Sequence, residues 1–258
     1  PWQKVEGSNI LITGASGMIG SYITDLILMH NEISGSDTNV YALSRSRTKL
    51  QSRFKESPDR DHLHIIEDDI QFPIKVEEHI DFIIHAASNT HPVEYSGRPV
   101  ETITTNVIGL LNVFEYLRIH KKGRAVVLSS VEIYGENRGD IDLFDEKYCG
   151  YLDCNTLRAG YPESKRLSET MAQAYISQYG VDSVIARISR VYGAGTEQDD
   201  SKAMTQFINK AAAHDDIVLK SDGSQLYSYT YTTEMRETEV QNPDSPEEST
   251  TKTEKWYI

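Results

Sequence analysis

The sequence predicts an α/β fold, a parallel sheet covered by helices on both faces. Three observations predict it. Short apolar strand-like runs alternate with longer segments of helical period along most of the chain. A glycine-rich turn follows the first apolar run and opens the first helical segment. At 258 residues the chain has room for one large domain, or one domain and a small lobe.

The elements follow in order. Asn9 to Thr13 is a short apolar strand, and Met18 to His30 a helix. Asn39 to Leu43, Leu63 to Ile66 and Asp81 to His85 read as the second, third and fourth strands. Pro99 to Ile119 has a long helical period, and Arg124 to Ser129 is the fifth strand. Tyr161 to Tyr179 is a long helix, followed by a strand over Ser183 to Arg187. Sheets built this way bind ligands beyond the carboxyl ends of their strands. Gly135 to Gly160 is polar and irregular and reads as a long loop over that edge. From Glu234 onward the chain reads as linker, then a short terminal helix.

Composition narrows the functions. The chain is 38% hydrophobic and 25% charged, ordinary for a globular protein, with a net charge of -13. So acidic a chain is a poor partner for nucleic acid or an anionic membrane surface. No run approaches the roughly 20 apolar residues of a membrane helix. Cys149 and Cys154 are too few for a disulfide framework and fit a reducing cytoplasmic setting. Without nearby histidines they make a poor metal site, so no metal is expected. The opening PWQKVEGSN does not read as a signal peptide, and its lack of an initial Met implies further residues upstream.

The glycine turn is Thr13-Gly14-Ala15-Ser16-Gly17-Met18-Ile19-Gly20. Gly14 permits the tight turn, Gly17 the approach of a pyrophosphate to the helix N-terminus, and Gly20 close helix–strand packing. Its G-x-x-G-x-x-G spacing resembles that of the short-chain dehydrogenase/reductase superfamily. The resemblance implies a Rossmann-type doubly wound sheet and a dinucleotide cofactor, NAD or NADP, tightly bound and recycled. Gly14, Ser16, Gly17, Met18, Ile19 and Gly20 would then hold the pyrophosphate. The second strand ends in Ser44-Arg45 where NAD enzymes place an acid on the ribose, and Arg45 tilts the choice toward a 2′-phosphate. Asp69 and Ile70 resemble the superfamily's adenine-binding pair. Ala86 and Ala87, in His85-Ala86-Ala87-Ser88, resemble its turn of small residues under the cofactor.

Tyr161 and Lys165 stand four apart at the start of a helix and so share a face. A free phenol, with a pKa near ~10, is too weak a base at neutral pH. A neighbouring ammonium favours the phenolate and lowers that value. The lysine can also reach the nicotinamide ribose, leaving the tyrosine to take a proton from a sugar hydroxyl. The third member is a hydroxyl at the end of the fifth strand, Ser130, with Ser129 touching the cofactor.

These motifs together resemble the extended branch of the superfamily, which acts on nucleotide-linked sugars. Thr105-Asn106-Val107-Ile108-Gly109 resembles its T-N-x-x-G segment and puts Asn106 near the cofactor. Arg187 to Gly195 resembles its R-x-x-N-x-Y-G-x-G run, and Asp222-Gly223-Ser224-Gln225 its D-G-S-Q turn. Ser129-Ser130-Val131-Glu132-Ile133-Tyr134-Gly135 keeps the acid, Glu132, of the decarboxylases' S-T-S-E-V-Y-G. It has Val131 where the 4,6-dehydratases carry a second acid. Leu157 to Arg166 is similar to the decarboxylases' P-R-A-C-Y-D-E-G-K-R. The resemblance, from about Asn9 to Thr233, is thus strongest to UDP-glucuronate decarboxylases. It implies a UDP-sugar substrate, with Ser130, Glu132, Tyr161 and Lys165 catalytic and Ser88, Arg190 and Tyr227 toward the sugar nucleotide. A 4-epimerase or 4,6-dehydratase is the neighbouring reading, and a cofactor-binding protein without turnover the reading from another class.

Two departures stand out. Tyr227 falls where the family has a diphosphate-gripping arginine, and Arg190 stands in its asparagine position. The tail resembles the family's final helix attached early, implying a dinucleotide domain over residues 1–190 and a shortened substrate lobe over 191–258. Relatives of this kind dimerise through the two long helices, so a homodimer is expected.

Overall fold

The computed structural model describes residues 2–90, 92–193, 195–196, 202–219, 227–232 and 256–257. In chain order they form β1 (Asn9–Thr13), α1 (Met18–Ser34), β2 (Asn39–Ser44), α2 (Arg47–Arg53), β3 (Leu63–Glu67), β4 (Phe82–His85), α3 (Pro92–Gly97), α4 (Pro99–His120), β5 (Arg124–Ser130), β6 (Leu143–Phe144), α5 (Gly160–Tyr179), β7 (Asp182–Ile188), β8 (Arg190–Tyr192), α6 (Ala203–Ala212), β9 (Tyr229–Tyr231) and β10 (Trp256–Tyr257). The main sheet has the order β3-β2-β1-β4-β5-β7, and every neighbouring pair is parallel. This is the doubly wound, Rossmann-like sheet expected. Its order reverses between β1 and β4, which opens a crevice at their carboxyl ends.

Strand pleating explains why these strands read as unbroken apolar runs. Ile10 and Ile12 of β1, with Val40 and Ala42 of β2, pack into one core with Ile27 and Leu28 of α1 and Phe54. Their neighbours Leu11, Tyr41 and Leu43 point the other way, into a second core with Val113, Phe114 and Leu117 of α4 and Ala172 of α5. Burying each large side chain contributes about 1.5–3 kcal/mol. Gly35 stops α1 with φ 70°, its N–H donating to the Asn31 carbonyl at 2.8 Å, a left-handed cap that favours glycine.

The expected strands and long helices are all present, with ends moved by a few residues. α2, α3 and α6 are short and were not expected. β8 and β9 form a separate parallel pair, and β6 pairs with β10. That last pairing differs from the expected terminal helix: Trp256 and Tyr257 are extended against Phe144 and Leu143. The Asp222–Gln225 turn lies outside the described residues.

Candidate dinucleotide and catalytic site

The glycine turn sits at the crevice. Gly14 has φ 67°, and a Cβ there would lie 2.8 Å from the Ala87 backbone, so β1 and β4 leave the sheet in contact. A Cβ on Gly20 would lie 2.5 Å from the Gly14 carbonyl oxygen, so only glycine lets α1 start this close to the turn. Gly17 is the N-cap of α1, and no side chain caps that end. The first-turn N–H groups therefore face the crevice and suit an anionic phosphate. Ser16 shares a hydrogen bond with Ser44 at the exit of β2, 2.8 Å between hydroxyls. Thr196 returns from the far end of the chain to donate to the Met18 sulfur at 3.1 Å. The turn and helix end fit a dinucleotide.

Just past the end of β2, Arg45 donates to Glu101 on α4 at 2.5 Å. Asp69 accepts from the Gln71 N–H at 2.9 Å, closing a turn over the end of β3. Ile70 is buried, and its carbonyl accepts from Asn112 of α4 at 2.8 Å. Ser88 donates to Asn106 at 2.7 Å, and the Asn106 amide donates to Ser164 at 2.8 Å. Asn106 is 1% exposed. Its amide ties the exit of β4 to α4 and α5.

Ser130, Tyr161 and Lys165 come together. Tyr161 and Lys165 lie on one face of α5 and are both buried. The Tyr161 phenol lies close to the Ser130 hydroxyl, which acts to lower its pKa. The Lys165 ammonium donates to the Leu128 carbonyl at 2.8 Å and lies 6.0 Å from the Tyr161 ring centroid. Ser130 also accepts from the Glu132 N–H at 3.2 Å, capping the short turn that carries Glu132. Ser129 donates to Glu169, two turns along α5 from Tyr161, at 2.5 Å.

The electrostatics differ from expectation. Burial pushes the Tyr161 phenol up to about 12, against the lowering effect of the Ser130 hydroxyl, and Glu132 and Tyr95 add to the rise. Burial pushes the Lys165 ammonium down to about 8, opposed by the Glu169 carboxylate. The lysine is directed at a carbonyl rather than at the phenol oxygen, so desolvation outweighs the lowering expected from it. His85, fully buried, is pushed down to about 3 by burial and then by Lys165, so it is neutral. Its Nδ1 is 2.9 Å from the Thr13 hydroxyl, which in turn accepts from the Ala87 N–H at 3.3 Å.

Several neighbours were not singled out from the sequence. Tyr95 of α3 stacks on Tyr161 with centroids 5.5 Å apart. Arg158 donates to the Tyr95 hydroxyl at 3.3 Å and pairs with Glu132 at 3.5 Å. Glu169 pairs with Arg187 at 2.7 Å, and Arg187 donates to the Glu146 carbonyl at 2.7 Å. Arg166 donates to the Ile133 and Gly150 carbonyls, both at 2.7 Å. These arginines strap the irregular segment after β5 to α5 and β7. Arg190 of β8 stacks on Tyr227 with its guanidinium carbon 3.7 Å from the ring centroid. The available signal for Glu169 was its place four residues after Lys165; Tyr95 had none.

Comparisons with known proteins agree with the fold. The model of the NAD dependent epimerase/dehydratase family matches residues 10–240. UDP-glucuronic acid decarboxylase 6 of Arabidopsis thaliana is 32% identical over 229 residues, 88% of this chain and 64% of the relative. UDP-glucuronic acid decarboxylase 1 of Danio rerio is 30% identical over 232 residues, 89% of this chain and 52% of the relative. The chain thus spans between about half and two thirds of these relatives' lengths. A UDP-N-acetylglucosamine 4-epimerase from Methanobrevibacter ruminantium, solved with UDP-N-acetylmuramic acid, superposes with a TM-score of 0.73 at 21% identity, over 88% of this chain and 70% of that one. A dTDP-glucose 4,6-dehydratase from Streptomyces venezuelae, solved with NAD, gives 0.72 at 24% identity, over 87% and 68%. At such identities the structures support the fold.

Proposed function

The chain belongs to the NAD dependent epimerase/dehydratase family, and from that premise we propose that it transiently oxidises C4 of a nucleotide-linked sugar, with decarboxylation of UDP-glucuronate as its reaction. The observation that carries this reading is the buried Ser130–Tyr161–Lys165 cluster beside Glu132. Two observations favour the decarboxylase. Relatives of that name share about 30% of its residues, and Val131 replaces the second acid that water elimination requires.

Gly14, Ser16, Gly17, Met18, Ile19 and Gly20 would hold the pyrophosphate at the start of α1. Ser44 and Arg45 would flank the adenosine ribose, Asp69 and Ile70 the adenine, and Ala86 and Ala87 the ring system's underside. Ser129 and Asn106 would lie next to this floor. When bound, the dinucleotide supplies a nicotinamide that accepts a hydride from the sugar and returns it. Tyr161 Oη takes the C4 hydroxyl proton and gives it back, with Ser130 Oγ hydrogen-bonded to the same oxygen. A phenol at about 12 is a proton donor at neutral pH, so its basicity depends on positive charge beside it. Lys165, at about 8, carries such a charge at neutral pH. A C4 ketone is β to the C6 carboxylate, which leaves readily as CO2. Glu132 lies beside Tyr161 to orient or protonate near C5. Ser88, Arg190 and Tyr227 face the sugar nucleotide.

Residues 1–190 form the dinucleotide domain in this reading, and residues 191–258 the shortened substrate lobe. A homodimer fits the apolar side chains left exposed on the paired helices, Ile103 and Leu111 of α4 and Leu167 of α5. The free thiols of Cys149 and Cys154 fit the cytoplasm.

The test is incubation with UDP-glucuronate and NAD, with absorbance reporting transient nicotinamide reduction and mass spectrometry the product. Loss of CO2 is expected. Loss of water or no mass change would move the reaction to a 4,6-dehydratase or a 4-epimerase. Dinucleotide binding without reduction by any sugar nucleotide would leave a non-catalytic protein.

A further inference from the structure

The ion pair between Arg45 and Glu101 crosses the dinucleotide crevice. Arg45 follows β2 directly, while Glu101 is in the first turn of α4, the helix after β4. The sheet order is β2-β1-β4. The contact, 2.5 Å from Arg45 Nη1 to Glu101 Oε1, therefore passes over the exit of β1 and its glycine turn. A second arginine, Arg98, lies 3.6 Å from the other Glu101 oxygen.

Folds of this type read the adenosine ribose at the end of β2. An acid there bonds the 2′-hydroxyl, whereas a nearby arginine accommodates a 2′-phosphate. This chain lacks the acid. It has Ser44, whose hydroxyl is turned to Ser16 in the glycine turn. It has the arginine, but that arginine is bound to a carboxylate. The Arg45 hydrogen bond holds the Glu101 carboxyl below its usual range, so Glu101 is ionised at neutral pH. A 2′-phosphate would bring between one and two further negative charges, about -1.5 to -2, beside it. The ribose hydroxyl of NAD brings none.

We propose that Glu101 sets the choice of dinucleotide, by occupying Arg45 so that the adenosine end accepts NAD and rejects NADP. Glu101 is a specificity residue acting through Arg45, and its removal releases a ready-made 2′-phosphate site. The inference rests on the dinucleotide-binding part of the proposed function and not on the sugar reaction.

The experiment is calorimetric titration of the full chain, stripped of bound nucleotide, with NAD and with NADP. Wild type, Glu101→Gln and Arg45→Ala/Glu101→Gln are compared, with melting curves to confirm folding. Both residues are solvent-accessible, so the variants keep the core intact. Wild type is expected to bind NAD more tightly. Glu101→Gln is expected to shift the NAD/NADP ratio toward NADP by roughly tenfold or more, the worth of one charge-assisted hydrogen bond. The double variant is expected to lose that gain. Wild type binding NADP as tightly as NAD would overturn the proposal. So would a Glu101→Gln variant in which both affinities move together or neither moves, or a gain that survives loss of Arg45. If NAD binds as expected but no sugar nucleotide reacts, the catalytic reading fails while this one stands.

Discussion

The ring of Tyr95 lies on the ring of Tyr161, centroids 5.5 Å apart and planes 15° from parallel. Tyr95 is 4% exposed, and its hydroxyl accepts from Arg158, which also pairs with Glu132. It thus joins the buried phenol to the only acid expected in the chemistry. Tyr95→Ala should cost about 3–5 kcal/mol of stability, because it leaves a cavity against Tyr161. Tyr95→Phe keeps the stack and should cost little by comparison. Urea denaturation of the two variants checks this; equal losses would mean that the stack contributes nothing of its own.

Tyr161→Phe removes one oxygen from a side chain whose ring stays packed. Turnover should fall by roughly a hundredfold or more, the usual worth of a positioned acid–base group. Dinucleotide affinity should hold, because the glycine turn and the α1 N-terminus are untouched. Steady-state kinetics and a binding titration separate the two effects. Turnover at the wild-type rate would remove Tyr161 from the mechanism.

The main sheet was legible because burial on both faces leaves no room for polar residues in β1 or β2. Local spacing also revealed Tyr161 and Lys165, since four residues on a helix fix a shared face whatever else the fold does. What stayed hidden depends on residues far apart in sequence. The partner of Ser129 is Glu169 of α5, which is itself held by Arg187 of β7. Likewise the Tyr161 phenol was expected to be lowered by Lys165. Its burial, under a Tyr95 ring supplied by a short helix without clear period, decides the opposite sign.

Glu169 and Arg187 form an ion pair one turn along α5 from Lys165. Arg187 donates twice to one carboxylate and also to the Glu146 carbonyl, with its guanidinium over the Tyr134 ring. Both side chains are mostly buried, 14% and 21% exposed. Arg187→Met strands the Glu169 charge next to Ser129 and should cost about 3 kcal/mol. Arg187→Met/Glu169→Met should recover much of that loss, because no uncompensated charge remains. Chemical denaturation of the three proteins tests the coupling, and additive losses would exclude it.

Burial of Lys165 and His85 fixes how stability follows pH. The unfolded lysine keeps its proton up to its ordinary 10.5, whereas the folded one releases it near 8. Between those values the unfolded state binds more protons, so stability rises with pH. The full rise corresponds to roughly 3 kcal/mol. Tyr161 acts in the opposite direction above its ordinary 10.0, because the folded phenol holds its proton to about 12. The lysine effect is therefore cleanest between pH 8 and 10. His85 repeats the logic in acid: unfolded it takes a proton below 6.5, folded only near 3. Stability should fall as pH drops through that window, by roughly 4–5 kcal/mol at most. Denaturation midpoints measured across pH should show Lys165→Met flattening the alkaline rise and, because Lys165 also helps push the His85 value down, slightly easing the acid fall. His85→Asn should flatten the acid fall alone. Should either variant keep the wild-type slope in its own window, the buried group named for it is not the one titrating.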